Sequence, residues 1–115
     1  MSKQDKVEKS KQGVFSVITI TDAIAKDVAS EMKKAVTESL AEGYVKIILD
    51  LNLVPFIESK SLEMLLEMHK ESQKKGGGIR IANPNDICRD IFYATRLSSS
   101  LEIYSDVENA KRSFL

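Results

Sequence analysis

The chain has 115 residues, 43% of them hydrophobic, which is enough to fill one core at the common size of a single domain. Lysine plus arginine number 17 and aspartate plus glutamate 17, so no net field gathers nucleic acid or an anionic membrane, and a protein or small-molecule partner is expected instead. The lone cysteine, Cys88, excludes an internal disulfide and a cysteine-built metal site and fits a reducing compartment. No stretch approaches the roughly 20 apolar residues of a bilayer span, and the N-terminal MSKQDKVEKSKQ lacks the apolar core of a signal peptide. The expectation is one cytoplasmic domain over residues 1–115, without membrane insertion, without direct nucleic-acid contact and without a cofactor.

Residues 1–12 are polar and lysine-rich, and form either a frayed tail or a short edge strand around Val7. VFSVITI from Val14 mixes alternation with β-branched residues, the pattern of a strand with a buried face, and ends at Thr21 and Asp22. Between Ala25 and Ala41, the residues Val28, Met32, Ala35, Val36 and Leu40 recur along one helical face, and Gly43 follows as a stop. YVKIILDL is then almost continuously apolar, as in a central strand covered on both faces by helices.

Leu62, Leu65, Leu66 and His69 form the inward stripe of a second helix that KKGGG ends near Gly76. IRIA, from Ile79 to Ala82, is a further strand. The pair Asn83 and Pro84 turns the chain into a helix with Ile87, Ile91 and Ala94 on one face. LEIY, from Leu101 to Tyr104, is the last strand. Ser105 and Glu108 have capping-box spacing ahead of a final helix with Val107, Ala110 and Phe114 inward. This alternation predicts an α/β domain with a mixed, mostly parallel central sheet of about four to five strands and four helices.

Catalytic chemistry is sparse. His69 lies on the apolar stripe and reads as a half-buried packing residue, and Cys88 likewise falls within a helix. The GGG run precedes a strand, whereas a phosphate-cradling loop follows one and opens a helix. Asp50 and Glu58 sit at opposite ends of one strand-and-loop segment, too little for an acid–base pair. No catalytic set and no metal ligands are expected.

PFIESKSL, at residues 55–62, joins the central strand to the second helix and carries serines on both sides of Lys60. Either these serines cap the helix, or one of them is read by a partner, since a helix N-terminus exposes amides that accept a hydroxyl or a phosphate alike. Projected at about 100° per residue, Met64 and Met68 fall away from the stripe and beside Ser61, as an adaptable contact surface or as ordinary exposed residues.

The segment VKIILDLNLVPFIESKSLEMLL resembles the signature of the STAS domain of bacterial anti-sigma factor antagonists, where a strand leads into Asp-Ser-Ser/Thr-Gly-Leu and a helix. The likeness extends through KQGVFSVITITDAIAKDVASEMKKAVTESLAEGYVKIILDL and GGGIRIANPNDICRDIFYATRLSSSLEIYSDVENA. It implies a single STAS-like domain that is not an enzyme and that binds an anti-sigma factor with serine kinase activity. It further implies Ser59 as phosphoacceptor, with Ser61 a second candidate, and Glu58, Lys60, Ser61, Met64 and Met68 on the partner surface. A PP2C-type phosphatase would complete such a switch. Glu58 stands where the family has aspartate, Lys60 where it has a small residue and Ser61 where it has glycine, and Ala25 replaces an acidic residue near the phosphosite. The family also includes adaptors that bind the ATPase of lipid-transport ABC systems without a serine switch.

Overall fold

The apolar runs become the strands of one five-stranded sheet in the order β1-β2-β3-β4-β5, in a computed structural model that describes residues 6–115. The strands are β1 Val7–Gln12, β2 Phe15–Ile20, β3 Lys46–Asp50, β4 Gly78–Ala82 and β5 Glu102–Tyr104. Helices α1 Lys26–Ala41, α2 Ser59–Lys74, α3 Asp86–Ala94 and α4 Val107–Arg112 alternate with them, and a 3₁₀ turn at Leu97–Ser99 precedes β5. β2 to β5 are parallel, with Val17 beside Ile48 and Ile48 beside Arg80, while β1 runs antiparallel to β2.

From Val7 onward the lysine-rich segment is an edge strand rather than a frayed tail, and residues 1–5 lie outside the described residues. Hairpin geometry explains why so polar a segment is held. Gly13, at φ +65°, takes the left-handed turn conformation that a side chain disfavours, and the ladder then pairs Gln12 with Phe15 through to Val7 with Ile20. Lys9 reaches Glu38 of α1 at 2.9 Å and Lys11 reaches Glu42, just past its end, at 3.4 Å, which keeps charge on an edge that would otherwise invite another strand.

The sheet's two faces are unequal. One carries Ile18, Ile20, Ile47, Leu49, Ile79 and Ile81 against α1, α2 and α3 in the main core. The other buries only Val17, Ile48 and Ala82 with Ala110 of α4, fringed by Phe15, Tyr104, Val107 and Phe114. Strand alternation in continuous apolar runs makes both faces possible, and the short α4 covers what the three longer helices leave.

Two expected helix faces are rotated in the structure. α2 buries Ser61, Leu62, Leu65, Met68, His69 and Ser72, leaving Leu66 and Met64 half-buried. The buried arc is therefore turned by roughly 50° from the stripe expected at 100° per residue. The cause is that serines count as polar in a sequence pattern, yet Ser72 Oγ donates to the carbonyl of Met68 at 3.0 Å and needs no water. In α3 the inward residues are Cys88 and Phe92, whereas Ile87 is 59% exposed and Ala94 is exposed as well. The last helix is capped one residue later than expected: Asp106, not Ser105, accepts from the amide of Asn109 at 2.7 Å.

Candidate functional site

At the carboxyl ends of β2 and β3, the loops that lead into α1 and α2 pair with each other. Ile24 and Ile57 form an isolated parallel bridge, with the Ile24 amide donating to Phe56 O at 3.0 Å and the Glu58 amide to Ile24 O at 2.9 Å. This stitch sets Ala25 and Glu58, the residues immediately before α1 and α2, side by side. Both are extended, at φ −151° and −70°, and neither contributes a side-chain cap.

Ser59 is consequently the first residue of α2 rather than its cap, and it is exposed. Among the described residues, the amides of Ser59 and Lys60 have no protein acceptor, while those of Ser61 and Leu62 turn back to Glu58 O at 2.9 and 3.3 Å. The helix end thus presents free donors and the positive end of its dipole beside a free hydroxyl. No acidic residue lies in the first turn of α2, and Lys60 is exposed next to Ser59. Asp22, ahead of α1, is committed elsewhere: its Oδ1 accepts from the Ala23 amide at 2.7 Å and Oδ2 meets Lys6 at 2.9 Å, and the Lys6 hydrogen bond holds its carboxyl below the usual range.

The loop ahead of Ser59 is also clamped from the other side. Asn85 caps α3 by accepting from the Cys88 amide at 2.8 Å, and its Nδ2 donates to Val54 O at 3.1 Å. The Cys88 thiol donates to the same carbonyl at 3.4 Å, and burial pushes its pKa up, so it is a buried structural donor and not a nucleophile. α2 and the 3₁₀ turn enclose a groove of about 360 Å³ beside the serine, lined by Ser59, Lys60, Leu62, Glu63, Thr95 and Leu97.

The expected partner surface therefore divides. Glu58, Ser59 and Lys60 are brought together at the accessible start of α2. Ser61 and Met68 are corrected: they are 2% and 6% exposed, so Ser61 offers no hydroxyl to a kinase and Met68 no surface to a partner while α2 is packed. Met64 is half-buried and lines, with Met68, Val36 and Leu40, a cleft of about 210 Å³ between α1 and α2. The serines of PFIESKSL are likewise not its cap. In return, Leu53 and Phe56 of the same loop are 60% and 48% exposed, and with Ile87 they add large apolar side chains to this end of the molecule. PFIESKSL itself contains Phe56, and its apolar loop position was the available signal.

The STAS domain family model matches residues 6–110. The chain belongs to the STAS family. A Thermotoga maritima protein named as a candidate anti-sigma factor antagonist is 32% identical over 73 residues, which cover 64% of this chain and 65%, just under two thirds, of that relative. The crystal structure of a candidate anti-sigma factor antagonist from Thermotoga maritima superimposes with a TM-score of 0.86 at 24% identity, covering 94% of this chain and 93% of that one. The phosphorylated form of the Bacillus cell-fate determinant SpoIIAA does so with a TM-score of 0.70 at 15% identity, over 93% of this STAS chain and 98% of that one. At these identities the superpositions establish a shared fold. No described helix is long and apolar enough to cross a membrane, and no group of three or more His, Cys, Asp or Glu among the described residues could hold a metal ion.

Proposed function

We propose that this STAS domain is a regulatory binding protein of the anti-sigma factor antagonist type, which captures an anti-sigma factor with serine kinase activity and is released when that kinase phosphorylates Ser59. The observation that carries this is the freedom of Ser59: an exposed hydroxyl at the first position of α2, with no capping duty, on a loop stitched to Ile24 and clamped by Asn85. A phosphate there adds up to about two negative charges, which redraws a docking surface whose nearest fixed charges are Glu58 and Lys60. Glu58, Lys60 and the exposed Leu53, Phe56 and Ile87 supply the contact area around it. A PP2C-type phosphatase would restore the binding form. Its action is binding rather than catalysis, and its setting is the cytoplasm.

The test is affinity capture from native cell extract with wild type and Ser59→Ala, with phosphosite mass spectrometry on the recovered bait. The expected result is an anti-sigma kinase bound to both, and phosphate on Ser59 of the wild type only. Recovery of an ABC-transporter ATPase with an unmodified Ser59 would make the chain a STAS adaptor, for which Lys60 in place of a small residue is the supporting observation.

A further inference from the structure

Among the described residues, His69 is a buried titratable group whose hydrogen bond cannot survive protonation. β5 pairs with β4 only from Arg80 onward, so the amide of Ile79 points past the end of that ladder. His69 of α2 fills the gap: its Nδ1 accepts from Ile79 N at 3.0 Å, and the residue is 4% exposed. A backbone amide only donates, so Nδ1 must carry its lone pair and the neutral ring must hold its proton on Nε2.

Gly78 makes the approach possible. A Cβ there would lie 3.3 Å from His69 Cε1 and 3.0 Å from Arg80 Nη1, so imidazole and guanidinium share the space that a side chain would occupy. Arg80 cannot readily swing away, because it stacks 4.0 Å over the Phe114 ring and its Nε donates to Ser113 Oγ at 3.0 Å. A proton on Nδ1 would therefore face an amide hydrogen on one side and a held cation on the other.

We propose that His69 is a proton-released clasp, which fastens α2 to the start of β4 while neutral and lets go of the Ile79 amide when protonated. The charged and titratable groups around it work in one direction with a single exception. Arg80 of β4 opposes protonation and Glu102 of β5 favours it, but Glu102 is drawn to Arg80 at 3.4 Å. Lys33 of α1 and Glu67 and Glu71 of α2 line the cleft on the opposite flank of α2, and beside the apolar Phe92 the one titratable group that α3 buries in the shared core is the protonated Cys88 thiol. Lys46 and Asp50 of β3 alternate with Ile47 and Leu49 and so point to the α4 face. Burial first, and then Arg80, hold the imidazole below its ordinary value of 6.5. Its stabilising contribution is thus complete above pH 6.5 and is lost as pH falls from there through the lower folded value. The released element is the helix that begins at Ser59; its regulatory meaning rests on the function proposed above, whereas the clasp itself does not.

Nitrogen-detected NMR of the intact chain tests this directly. Neutral His69 should show an unprotonated Nδ1 and a protonated Nε2, with a midpoint below 6.5. The Ile79 amide should lose protection against hydrogen exchange as pH falls from 6.5 to that midpoint and level off below it, by roughly tenfold in all for each unit of depression. His69→Asn, which sets an amide oxygen near the Nδ1 position, should keep Ile79 protected without that pH dependence. A proton on Nδ1 in the neutral ring, or Ile79 protection that ignores the imidazole titration, would overturn the clasp. The wild-type titration decides the matter if the variant does not fold, and it is independent of any kinase or phosphate result.

Discussion

The four helices begin at the same end of the sheet, yet in two different ways. α3 and α4 start at Asn85 and Asp106, whose side chains each accept from the amide three residues on, at 2.8 and 2.7 Å. α1 and α2 start at Ala25 and Glu58, with no side-chain cap at either. Where the chain must fix a loop, the first-turn donors are satisfied from within. Where the β2 and β3 loops are stitched together, they are left to water or to a partner, at a sacrifice of about 1 kcal/mol per missing cap. Under the function proposed above, the uncapped starts of α1 and α2 would serve recognition and the capped starts of α3 and α4 would serve as scaffold.

Substitutions can break this contrast or sharpen it. Asn85→Ala should have the largest effect, lowering stability by about 2–3 kcal/mol in urea unfolding, because it removes a cap and also leaves the Val54 carbonyl with only the weak Cys88 thiol donor. Asp106→Ala removes only a cap, and about 1 kcal/mol is expected by the same measurement. Ala25→Ser should stabilise by about 0.5–1 kcal/mol, since the backbone at 25 already has the extended geometry of a cap; no gain would mean that the α1 amides are satisfied already. Ser59→Ala should shift stability by no more than about 0.5 kcal/mol while abolishing phosphorylation. A loss above about 1 kcal/mol would show that the serine holds the helix after all.

Much of the architecture was legible because burial and periodicity agree there. VFSVITI and YVKIILDL are β-branched and apolar on both faces, and they sit in the sheet accordingly. The family resemblance put Ser59 ahead of Ser61, and only the structure showed that Ser59 is exposed and Ser61 buried. Its neighbours were harder. Ser61 and Met68 were expected outside because the apolar pattern gives no credit to a buried serine, and Ile87 was expected inside because isoleucine usually is.

What the sequence determined by itself is the order of strands and helices from β2 onward and the absence of net charge. Each follows from local composition, which needs no knowledge of what packs where. Only the tertiary structure decided that the polar N-terminal segment from Val7 is a strand, that α2 turns Met68 inward, and that His69 meets the Ile79 amide. Those outcomes depend on partners distant in sequence, namely a hairpin ladder, a neighbouring helix and the early end of β5, and on the space left at Gly78.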